Sequence, residues 1–413
     1  MHVAFVAPRF FPCRGGYENY ILSLARALVS AGNRVSVFTT TAVDLEAFWV
    51  AGHHTLPAGH TVIETIDISR SPIVYERSYR YPRRVLGLLP NWKLKARFAR
   101  PAFFARGLRN ELHRARPDMI HVGPLPYNNL MFDGIAEARR LHVPVLATPC
   151  THFGEDTNSE ISRDYVQTFQ VNLLNCCDKV LTLTAIEAAR LRDRGVRADK
   201  LLVSGAGIDV AEVTGGDEAD VRGKYSLGED PIVLHLGMRA PDKGSVCVLE
   251  AMRKLWQRGE CARLVLAGPS LSSFDRYLSI ASAGCERLLT LGPVSDLEKR
   301  DWLAAASVVV QPSRVESLGL ILLEAWANEK PVIAADTAVS RELVENGGDG
   351  LLVPFGDSSR LADVLAQLLQ DSSSRRAMGR RGREKVLRCF LGEHWIAKTL
   401  PLFSTHKPCS FTM

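Results

Sequence analysis

The feature that most constrains the fold is a repeated alternation between short apolar segments rich in Val, Ile and Thr and longer segments with an amphipathic stripe. Short apolar strands separated by helices are typical of parallel α/β sheets, in which helices cover both faces. In the first half, strands are predicted at His2–Ala7, Arg34–Thr40, Thr61–Asp67, Asp118–Val122, Val143–Thr148, Lys179–Thr184 and Leu201–Val203. In the second half, they are predicted at Ile232–Leu236, Leu264–Ala267, Leu288–Leu291, Val308–Gln311, Val332–Ala335 and Leu351–Val353. The sequence therefore predicts an α/β protein with two doubly wound parallel sheets.

A change in composition separates the two alternations. Residues 209–230 mix glycines with acidic residues and carry no apolar stripe, which is typical of a linker followed by a short helix. A chain of 413 residues is also too long for one ordinary hydrophobic core. We therefore predict one Rossmann-like domain over residues 1–208 and a second over residues 209–392. Open α/β sheets bind ligands beyond the carboxyl ends of their strands, so we expect the active site in a cleft between the domains.

Composition excludes several classes of protein. The chain is 46% apolar and 23% charged, as soluble globular proteins are, and no apolar run approaches the roughly 18 residues of a membrane span. The first eight residues resemble a strand and lack the basic leader of a secretory signal. The nine cysteines show no C-x-x-C spacing, which favours reduced thiols. We therefore expect a cytoplasmic protein.

Positive charge is concentrated in one segment. Residues 70–116 contain thirteen lysines and arginines against two glutamates, with aromatic residues interleaved, whereas the rest of the chain is net negative. This mixture is typical of surfaces that bind an anionic membrane or nucleic acid, and also of solvated helices whose apolar stripe lies in the core. We expect either peripheral attachment to the inner face of the membrane or an ordinary helix pair, and no nucleic-acid binding.

Two glutamates, Glu316 and Glu324, are the strongest indication of function. They lie on either side of a predicted helix start at Gly319, directly after a predicted strand. Glu324 lies among aliphatic residues, where a carboxylate is costly unless a partner satisfies it. The free backbone N–H groups of Gly319, Leu320 and Ile321 at the helix start are suited to bind an anion. Phosphate donors beside carboxylates that accept from hydroxyl groups predict a nucleotide-sugar site.

A second candidate segment is the loop of residues 237–244, which follows another predicted strand. It contains Arg239 and Lys243, which are suited to hold a diphosphate and to neutralise the charge on a leaving phosphate. Two exposed cations in an ordinary turn would show the same spacing. The loop is therefore a candidate diphosphate site mainly because the glutamate segment occurs in the same chain.

A third candidate is the loop before the first predicted helix. Gly15 and Gly16 lie between a strand and a helix start, where backbone N–H groups can approach a phosphate. The alternative is a loop that needs glycine only for its backbone conformation. The segment is not a G-x-G-x-x-G fingerprint, and none occurs in the chain.

Two histidines follow or lie in predicted strands. His152 is a candidate for a hydrogen bond to a donor-sugar hydroxyl, with a structural histidine as an equal alternative, whereas His121 is assigned to the core. No D-x-D pair, H-E-x-x-H segment, Cys/His cluster, G-K-[ST] loop or G-x-S-x-G elbow occurs. We therefore expect no metal ion and no cofactor beyond the donor substrate.

Taken together, these residues resemble the retaining GT-B glycosyltransferases of family four, also called glycosyl transferases group 1, over nearly the whole chain. The segment from Pro312 to Ala325 is similar to the E-x7-E segment that is the most specific mark of the family. Weaker matches are Gly15-Gly16-x-Glu18, Ala206-Gly207-Ile208-Asp209 and Gly350-Leu351-Leu352-Val353-Pro354. The chain departs from the family where Met238 replaces an arginine, so that Arg239 comes one place late, and where Leu318 replaces a phenylalanine.

The resemblance implies a donor nucleotide on the C-terminal domain and an acceptor on the N-terminal domain. We also expect the C-terminal helix, residues 393–413, to pack back on the N-terminal domain. It implies that Glu324 holds the ribose hydroxyls and that Glu316 lies near the transferred sugar. Arg239 and Lys243 would hold the diphosphate. The phosphate cradle would be completed by backbone groups at Gly319, Leu320, Ile321 and, opposite them, Gly16. Retention without a metal, with the leaving phosphate helping to deprotonate the acceptor, also follows from the family alone.

We therefore predict a hexosyltransferase that moves a sugar from a UDP- or GDP-sugar to a glycan or lipid-linked acceptor in the synthesis of cell-envelope glycans or glycolipids. Two alternatives stay open on the sequence. One is a nucleotide-sugar epimerase of the same fold, against which the E-x7-E segment argues. The other is a non-catalytic protein that binds nucleotide sugars.

Overall fold

The computed structural model describes residues 1–75, 91–98, 103–156, 159–282 and 284–404. The chain forms two compact units. The first consists of Met1–His152, Ser162–Gly205 and the chain from Ile396, and the second of Phe153–Ile161 and Ala206–Trp395. Each unit contains one mainly parallel sheet with helices, which confirms the predicted fold class. In the part of the chain that the structure describes, no helix is both long enough and apolar enough to cross a membrane.

The strands of the first unit are β1 (His2–Val6), β2 (Arg34–Thr40), β3 (Gly59–Ile63), β4 (Ile66–Ser71), β5 (Ile73–Val74), β6 (Phe104–Ala105), β7 (Met119–Val122), β8 (Val145–Ala147), β9 (Lys179–Thr182) and β10 (Leu201–Val203). Eight of them form one sheet in the order β10-β9-β8-β7-β1-β2-β4-β3. Neighbours in this sheet are parallel except β3 and β4. β5 and β6 form a separate antiparallel pair.

The helices of the first half are α1 (Gly16–Ser30), α2 (Trp92–Phe98), α3 (Leu108–Ala115), α4 (Asn128–Leu141), α5 (Glu160–Tyr165), α6 (Thr168–Asn175) and α7 (Ala185–Asp193). The apolar stripe predicted for α1 is buried, with Ile21 and Leu24 fully inaccessible. Of the basic segment 70–116, residues 76–90 and 99–102 lie outside the described residues. The remainder includes β5, α2, β6 and α3.

The single strand predicted at Thr61–Asp67 is wrong, because this stretch is a hairpin. β3 and β4 pair antiparallel, with Ile63 opposite Ile66. The two residues between them, Glu64 and Thr65, have φ angles of +49° and +70°. A two-residue hairpin turn of type I′ needs positive φ at both positions, and it usually contains Asn or Gly. The sequence carries neither residue here, so the turn had no recognisable signal.

The second unit has the strands β11 (Ile232–Leu236), β12 (Arg263–Ala267), β13 (Leu288–Leu291), β14 (Val308–Gln311), β15 (Val332–Ala335) and β16 (Gly350–Val353). They form a parallel sheet in the order β13-β12-β11-β14-β15-β16. Its helices are α8 (Val210–Val213), α9 (Glu218–Lys224), α10 (Ser245–Gln257), α11 (Ser272–Ala281), α12 (Asp296–Ala305), α13 (Leu320–Ala327), α14 (Ala338–Leu343), α15 (Ser358–Gln370) and α16 (Ser372–Cys389). The last helix, α17 (Gly392–Thr399), begins in this unit and ends in the first.

Two glycines of the basic helix α16 allow it to pack closely against α13 and the turn after it. A Cβ at Gly382 would overlap the indole of Trp326, and a Cβ at Gly379 would overlap the carbonyl oxygen of Glu329. Glycine is therefore needed at both positions for this approach. The contact supports the helix that carries Glu324.

The described chain ends on the first unit. Phe403, in a short 3₁₀ turn, is buried, and its ring centroid lies 6.1 Å from those of Phe5 and His121. Residues 405–413, the rest of the segment predicted to pack there, lie outside the described residues.

Candidate active site

Two loops of the second unit meet at the carboxyl end of its sheet. β11 and β14 are adjacent parallel strands, and the strand order changes direction between them. The loop of residues 237–244 follows β11, and the loop of residues 312–319 follows β14 and leads into α13. Since neighbouring parallel strands end at the same edge, the sheet brings together two segments that are distant in sequence. This switch point is where open α/β sheets bind ligands.

Lys243 and Glu316 form an ion pair across these loops. The Nζ of Lys243 lies 3.0 Å from Oε1 of Glu316 and donates a 2.6 Å hydrogen bond to the carbonyl oxygen of Val315. The two side chains keep 21% and 17% of their exposure, so a ligand can still reach them. An ammonium group has three N–H donors, which leaves one beyond these two contacts.

Backbone contacts hold the two loops in this arrangement. The N–H of Arg314 donates to the carbonyl oxygen of Asp242 at 2.8 Å. Gly244 has a φ of +78°, and a Cβ on it would overlap the carbonyl oxygen of Pro312. Glycine is therefore required here both for its backbone conformation and for the close approach. The Lys243–Glu316 contact is built on this rigid junction.

Arg239 lies at the same edge but is anchored to the next loop. Its Nε donates to the carbonyl oxygen of Gly268 at 3.0 Å, and its backbone N–H donates to that of Pro269 at 2.7 Å. The side chain is buried, and burial lowers the pKa of Arg239 below its usual value. The displaced arginine thus lies beside the ends of both β11 and β12, with part of its hydrogen-bonding capacity used by the protein.

The start of α13 carries no side-chain cap. Its N-cap is Gly319, with a φ of +88°, and glycine provides no acceptor for the N–H groups of the first turn. Leu320 and Ile321 follow it and are half-buried. An uncapped helix start is suited to bind an anion, and anion binding here stays a prediction.

Glu324 has an internal partner that the sequence did not reveal. The residue is only 8% exposed, and its Oε1 accepts a 2.9 Å hydrogen bond from Nζ of Lys299 on α12. Part of the cost of burying this carboxylate is therefore offset by an ion pair. In the described part of the chain no hydrogen bond reaches its Oε2. No spacing pattern in the sequence joins Lys299 to Glu324, so this partner is visible only in the tertiary structure.

A buried histidine on β11 supports the loop of residues 237–244, here called the cation loop. His235 on β11 is fully inaccessible, its Nδ1 lies 2.8 Å from the carbonyl oxygen of Val310, and its Nε2 lies 2.8 Å from Oγ of Ser245. The Ser245 Oγ also accepts a 3.0 Å hydrogen bond from the N–H of Ala240. Burial lowers the pKa of His235 to about 4, so the ring is neutral at pH 7. The carbonyl oxygen then fixes the proton on Nδ1, and Ser245 donates to Nε2.

The sequence did not predict the hydrogen-bonded series His235–Ser245–Ala240, which links β14 to the cation loop. Its one available signal was a histidine inside an otherwise aliphatic strand that ends at the loop. A polar group in such a position requires a hydrogen-bonding partner.

In the first unit, the glycine loop accommodates a buried ion pair. The Glu18 carboxylate accepts from Nε and Nη2 of Arg9, each at 2.9 Å, and both residues are buried. A Cβ on Gly15 would overlap Oε2 of Glu18, so glycine makes room for this carboxylate. Nothing lies within 4 Å of the Cβ position of Gly16, the first residue of α1. The position of Gly16 is therefore open to an incoming group, whereas Gly15 is needed by the fold itself.

His152 and His121 differ in burial as predicted for a loop and a strand residue. His152 is half-buried, and its ring lies 4.7 Å from that of Tyr165. The loop before it is held by Glu187, which accepts from the N–H of Thr151 at 2.6 Å. His121 is fully buried in β7 and shares a 2.8 Å hydrogen bond with Oγ1 of Thr148. Gly15, Gly16 and His152 belong to the first unit, and the other candidate site residues belong to the second.

No cluster of three or more His, Cys, Asp or Glu side chains suited to a metal ion occurs among the described residues.

Comparison of the sequence with known proteins identifies the family to which the chain belongs. The model for "Glycosyl transferases group 1" matches residues 217–385, and that for "Glycosyltransferase Family 4" matches residues 14–212. The chain is 30% identical over 395 residues to a D-inositol 3-phosphate glycosyltransferase of Frankia alni, with 89% of this chain and 90% of that enzyme covered. The chain belongs to the group 1 glycosyltransferases. It is therefore an enzyme that uses a nucleotide sugar, which confirms that prediction and disfavours the epimerase and the non-catalytic protein.

Other related enzymes match either most of this chain or only part of it. A phosphatidyl-myo-inositol mannosyltransferase of Mycobacterium leprae is 25% identical over 394 residues, covering 94% of this chain and 92% of that enzyme. Some matches of 32–34% identity cover only 42–48% of the relative. The crystal structure of Anabaena Alr3699/HepE in complex with UDP and glucose superposes with a TM-score of 0.72 at 19% identity, covering 98% and 99% of the two chains. This likeness confirms the GT-B fold of the glycosyltransferase.

Proposed function

We propose that this glycosyltransferase transfers a hexose from a UDP- or GDP-sugar to a glycan or lipid-linked acceptor, with retention and without a metal ion, in cell-envelope glycan or glycolipid synthesis. The observation that carries the proposal is the Lys243–Glu316 ion pair beside the uncapped start of α13. It puts a cation, free N–H donors and a carboxylate at one sheet edge. A donor sugar linked to a diphosphate needs all three kinds of group.

The diphosphate is assigned to the positive side of this site. The remaining N–H of Lys243 and the backbone N–H groups of Leu320 and Ile321 would bind the phosphate oxygens, as helix starts commonly do. Arg239 would add positive charge from the end of β11 while Gly268 holds its Nε. Gly16 of the first unit keeps its predicted role as a phosphate-binding backbone group, and the open space at its Cβ position is compatible with that role.

The hydroxyl groups of the donor are assigned to the two glutamates. Glu316 would accept a hydrogen bond from the transferred sugar, and Oε2 of Glu324 from a ribose hydroxyl. Lys299 would orient the Glu324 carboxylate through its contact with Oε1. His152 is assigned to a hydroxyl of the transferred sugar.

The reaction requires the C1–O bond to the β-phosphate to break and a C1–O bond to the acceptor oxygen to form on the same face of the sugar. The acceptor proton passes to the leaving phosphate. Lys243 and the helix N–H groups stabilise the charge that develops on that phosphate, so their contribution grows as the bond breaks. No metal is needed for this charge, and we expect activity to persist in EDTA.

The site assignment is tested with Glu316→Gln and Lys243→Met, using the exposed Glu286→Gln as a matched control. We expect kcat to fall by about 100-fold or more in both site variants, because each loses a contact to charge or hydroxyl groups in the transition state. Glu286→Gln should match the wild type. Full turnover by either correctly folded site variant would overturn the assignment.

The nucleotide is tested by thermal shift with UDP, GDP and ADP. A ligand that binds only the folded protein stabilises it by about 2.7 kcal/mol at a hundredfold excess over Kd, so the nucleotide with the largest shift identifies the donor class. If no nucleotide shifts the midpoint, the proposed donor site is wrong.

Attachment to an anionic membrane is proposed for the described part of the basic segment and a neighbouring turn. α2 carries Lys93, Lys95 and Arg97 beside the exposed Leu94, while Trp49 and Val50 are 49% and 57% exposed. Tyr75 links that turn to the segment, since its hydroxyl donates to the carbonyl oxygen of Val50 at 3.2 Å. Cations beside exposed apolar side chains suit an anionic interface.

The membrane proposal is tested by pelleting with vesicles. We expect salt-sensitive binding to anionic but not to neutral vesicles, and weaker binding of the double variant Trp49→Ser, Val50→Ser. Val62→Ser, at a position on β3 that is 66% exposed, is the control. Equal pelleting with both vesicle types would refute the proposal.

A further inference from the structure

A second polar pocket lies in the first unit, among α2, β6, α3 and α4. Its volume is about 270 Å³, and its walls include Arg97, Phe98, Phe104, Arg109, Asn110 and Asp133. This volume is near the lower end of the range for ligand sites, so the pocket suits a small polar molecule. None of these residues belongs to the donor site proposed above.

The pocket contains a buried carboxylate that the fold does not satisfy. Asp133 on α4 is 7% exposed, and its Oδ1 has no hydrogen-bond partner among the described residues. Burial raises the pKa of Asp133 to about 6, with Arg97 and Arg109 opposing that rise. A buried acceptor left unpaired costs free energy, and the fold gains nothing visible from it. Asp133 also lines the pocket, so a ligand hydroxyl that donates to this carboxylate would offset part of this cost.

The two arginines are held loosely at the rim. The Arg97 guanidinium lies over the rings of Phe104 and Phe132, at 5.9 and 6.0 Å from their centroids. The Nε of Arg109 lies 3.8 Å from Oε2 of the fully buried Glu137, beyond hydrogen-bond distance. Planar guanidinium groups with donors to spare bind the oxygens of a phosphate well.

We propose that this pocket binds a phosphorylated polyol, either free or as the head group of a lipid. The phosphate is bound by Arg97 and Arg109, and a hydroxyl group donates to the Asp133 carboxylate. The rings of Phe98 and Phe104 pack against the carbon skeleton. The proposal concerns a site separate from the donor site, and binding here leaves the response to a nucleotide intact.

Binding is tested by calorimetry with inositol 1-phosphate and glycerol 3-phosphate, and with inorganic phosphate for comparison. We expect saturable binding of a phosphorylated polyol and at least about tenfold weaker binding of inorganic phosphate, which lacks the hydroxyl for Asp133. Equal affinity for inorganic phosphate, or no saturable binding of either polyol phosphate, would overturn the proposal.

Two variants and a control locate the binding. Asp133→Leu should weaken it by about tenfold or more while raising the urea midpoint, because it removes an unpaired buried carboxylate. Arg109→Gln should also weaken binding, whereas Arg106→Gln, an exposed arginine nearby, should not. Affinities that are unchanged in both site variants would place the ligand elsewhere and refute the pocket.

The source of the ligand is decided by vesicles that contain phosphatidylinositol or only phosphatidylcholine. Binding to the former that free inositol 1-phosphate displaces identifies a lipid head group, and binding of the free ligand alone identifies a soluble one. The nucleotide thermal shift is measured on the same variants. It should stay unchanged, so a failure of this pocket and a failure of the donor site are told apart.

Discussion

Removal of the Ser245 hydroxyl tests how the candidate active site is supported. Oγ of Ser245 donates to Nε2 of His235 and accepts from the N–H of Ala240, and all three residues are buried. Ser245→Ala therefore breaks two buried hydrogen bonds without creating a large cavity. It leaves an acceptor on His235 and a donor on Ala240 unpaired. At about 1–3 kcal/mol for each unsatisfied group, we expect the free energy of unfolding to fall by about 3 kcal/mol.

We expect Ser245→Ala to lower kcat more than it raises the KM for the donor. Ala240 begins the short turn that positions Lys243 against Glu316, so loss of its anchor lets the cation loop shift. A displacement of about 1 Å at a reacting centre can cost 100-fold in rate. We expect the donor kcat/KM of Ser245→Ala to fall by about that factor, with most of the loss in kcat.

The assays are urea unfolding and steady-state kinetics with the donor identified by thermal shift. Ser279→Ala is the matched control, since Ser279 is an exposed serine on α11 of the same unit. Ser245→Thr, which keeps the hydroxyl, should recover part of the kcat despite some overpacking. If Ser245→Ala matches Ser279→Ala in both stability and kcat/KM, the His235–Ser245–Ala240 chain plays no part in supporting the site.

Three further predictions concern the second unit. Lys299→Met leaves the Glu324 carboxylate buried without its cation, so the free energy of unfolding in urea at pH 7 should fall by about 3 kcal/mol, and an unchanged value would contradict the ion pair. Gly382→Ala brings a methyl group against the Trp326 indole and should lower stability by about 2 kcal/mol, seen as a melting temperature several degrees lower; an unchanged melting temperature would show that α16 can move away at no cost. Because burial lowers the pKa of His235 from 6.5 to about 4, its neutral form contributes about 3 kcal/mol above pH 6.5, and this contribution is lost as the pH falls toward 4. Urea titrations between pH 7 and 4.5 should show a steeper loss for the wild type than for His235→Gln, and parallel curves would refute the shift.

Much of the fold followed from local patterns. Apolar segments such as Ile232–Leu236 and Val308–Gln311 were predicted to within a residue, since a buried parallel strand must be apolar on both faces and must be short. The hairpin around Glu64 and Thr65 was missed, because its turn uses residues that seldom adopt positive φ. Local rules predict elements where the residues follow common preferences, and they fail where tertiary contacts impose an uncommon conformation.

The candidate site divides in the same way. The sequence alone determined that a glycine-initiated helix follows a buried strand, that carboxylates lie on both sides of its start, and that Arg239 and Lys243 follow another strand end. It could not determine which charge meets which. The contacts of Lys243 with Glu316 and of Lys299 with Glu324 join segments brought together by the strand order and by helix packing. An ion pair depends on distance in space, whereas residue patterns record only distance along the chain, so these partners emerged only with the tertiary structure.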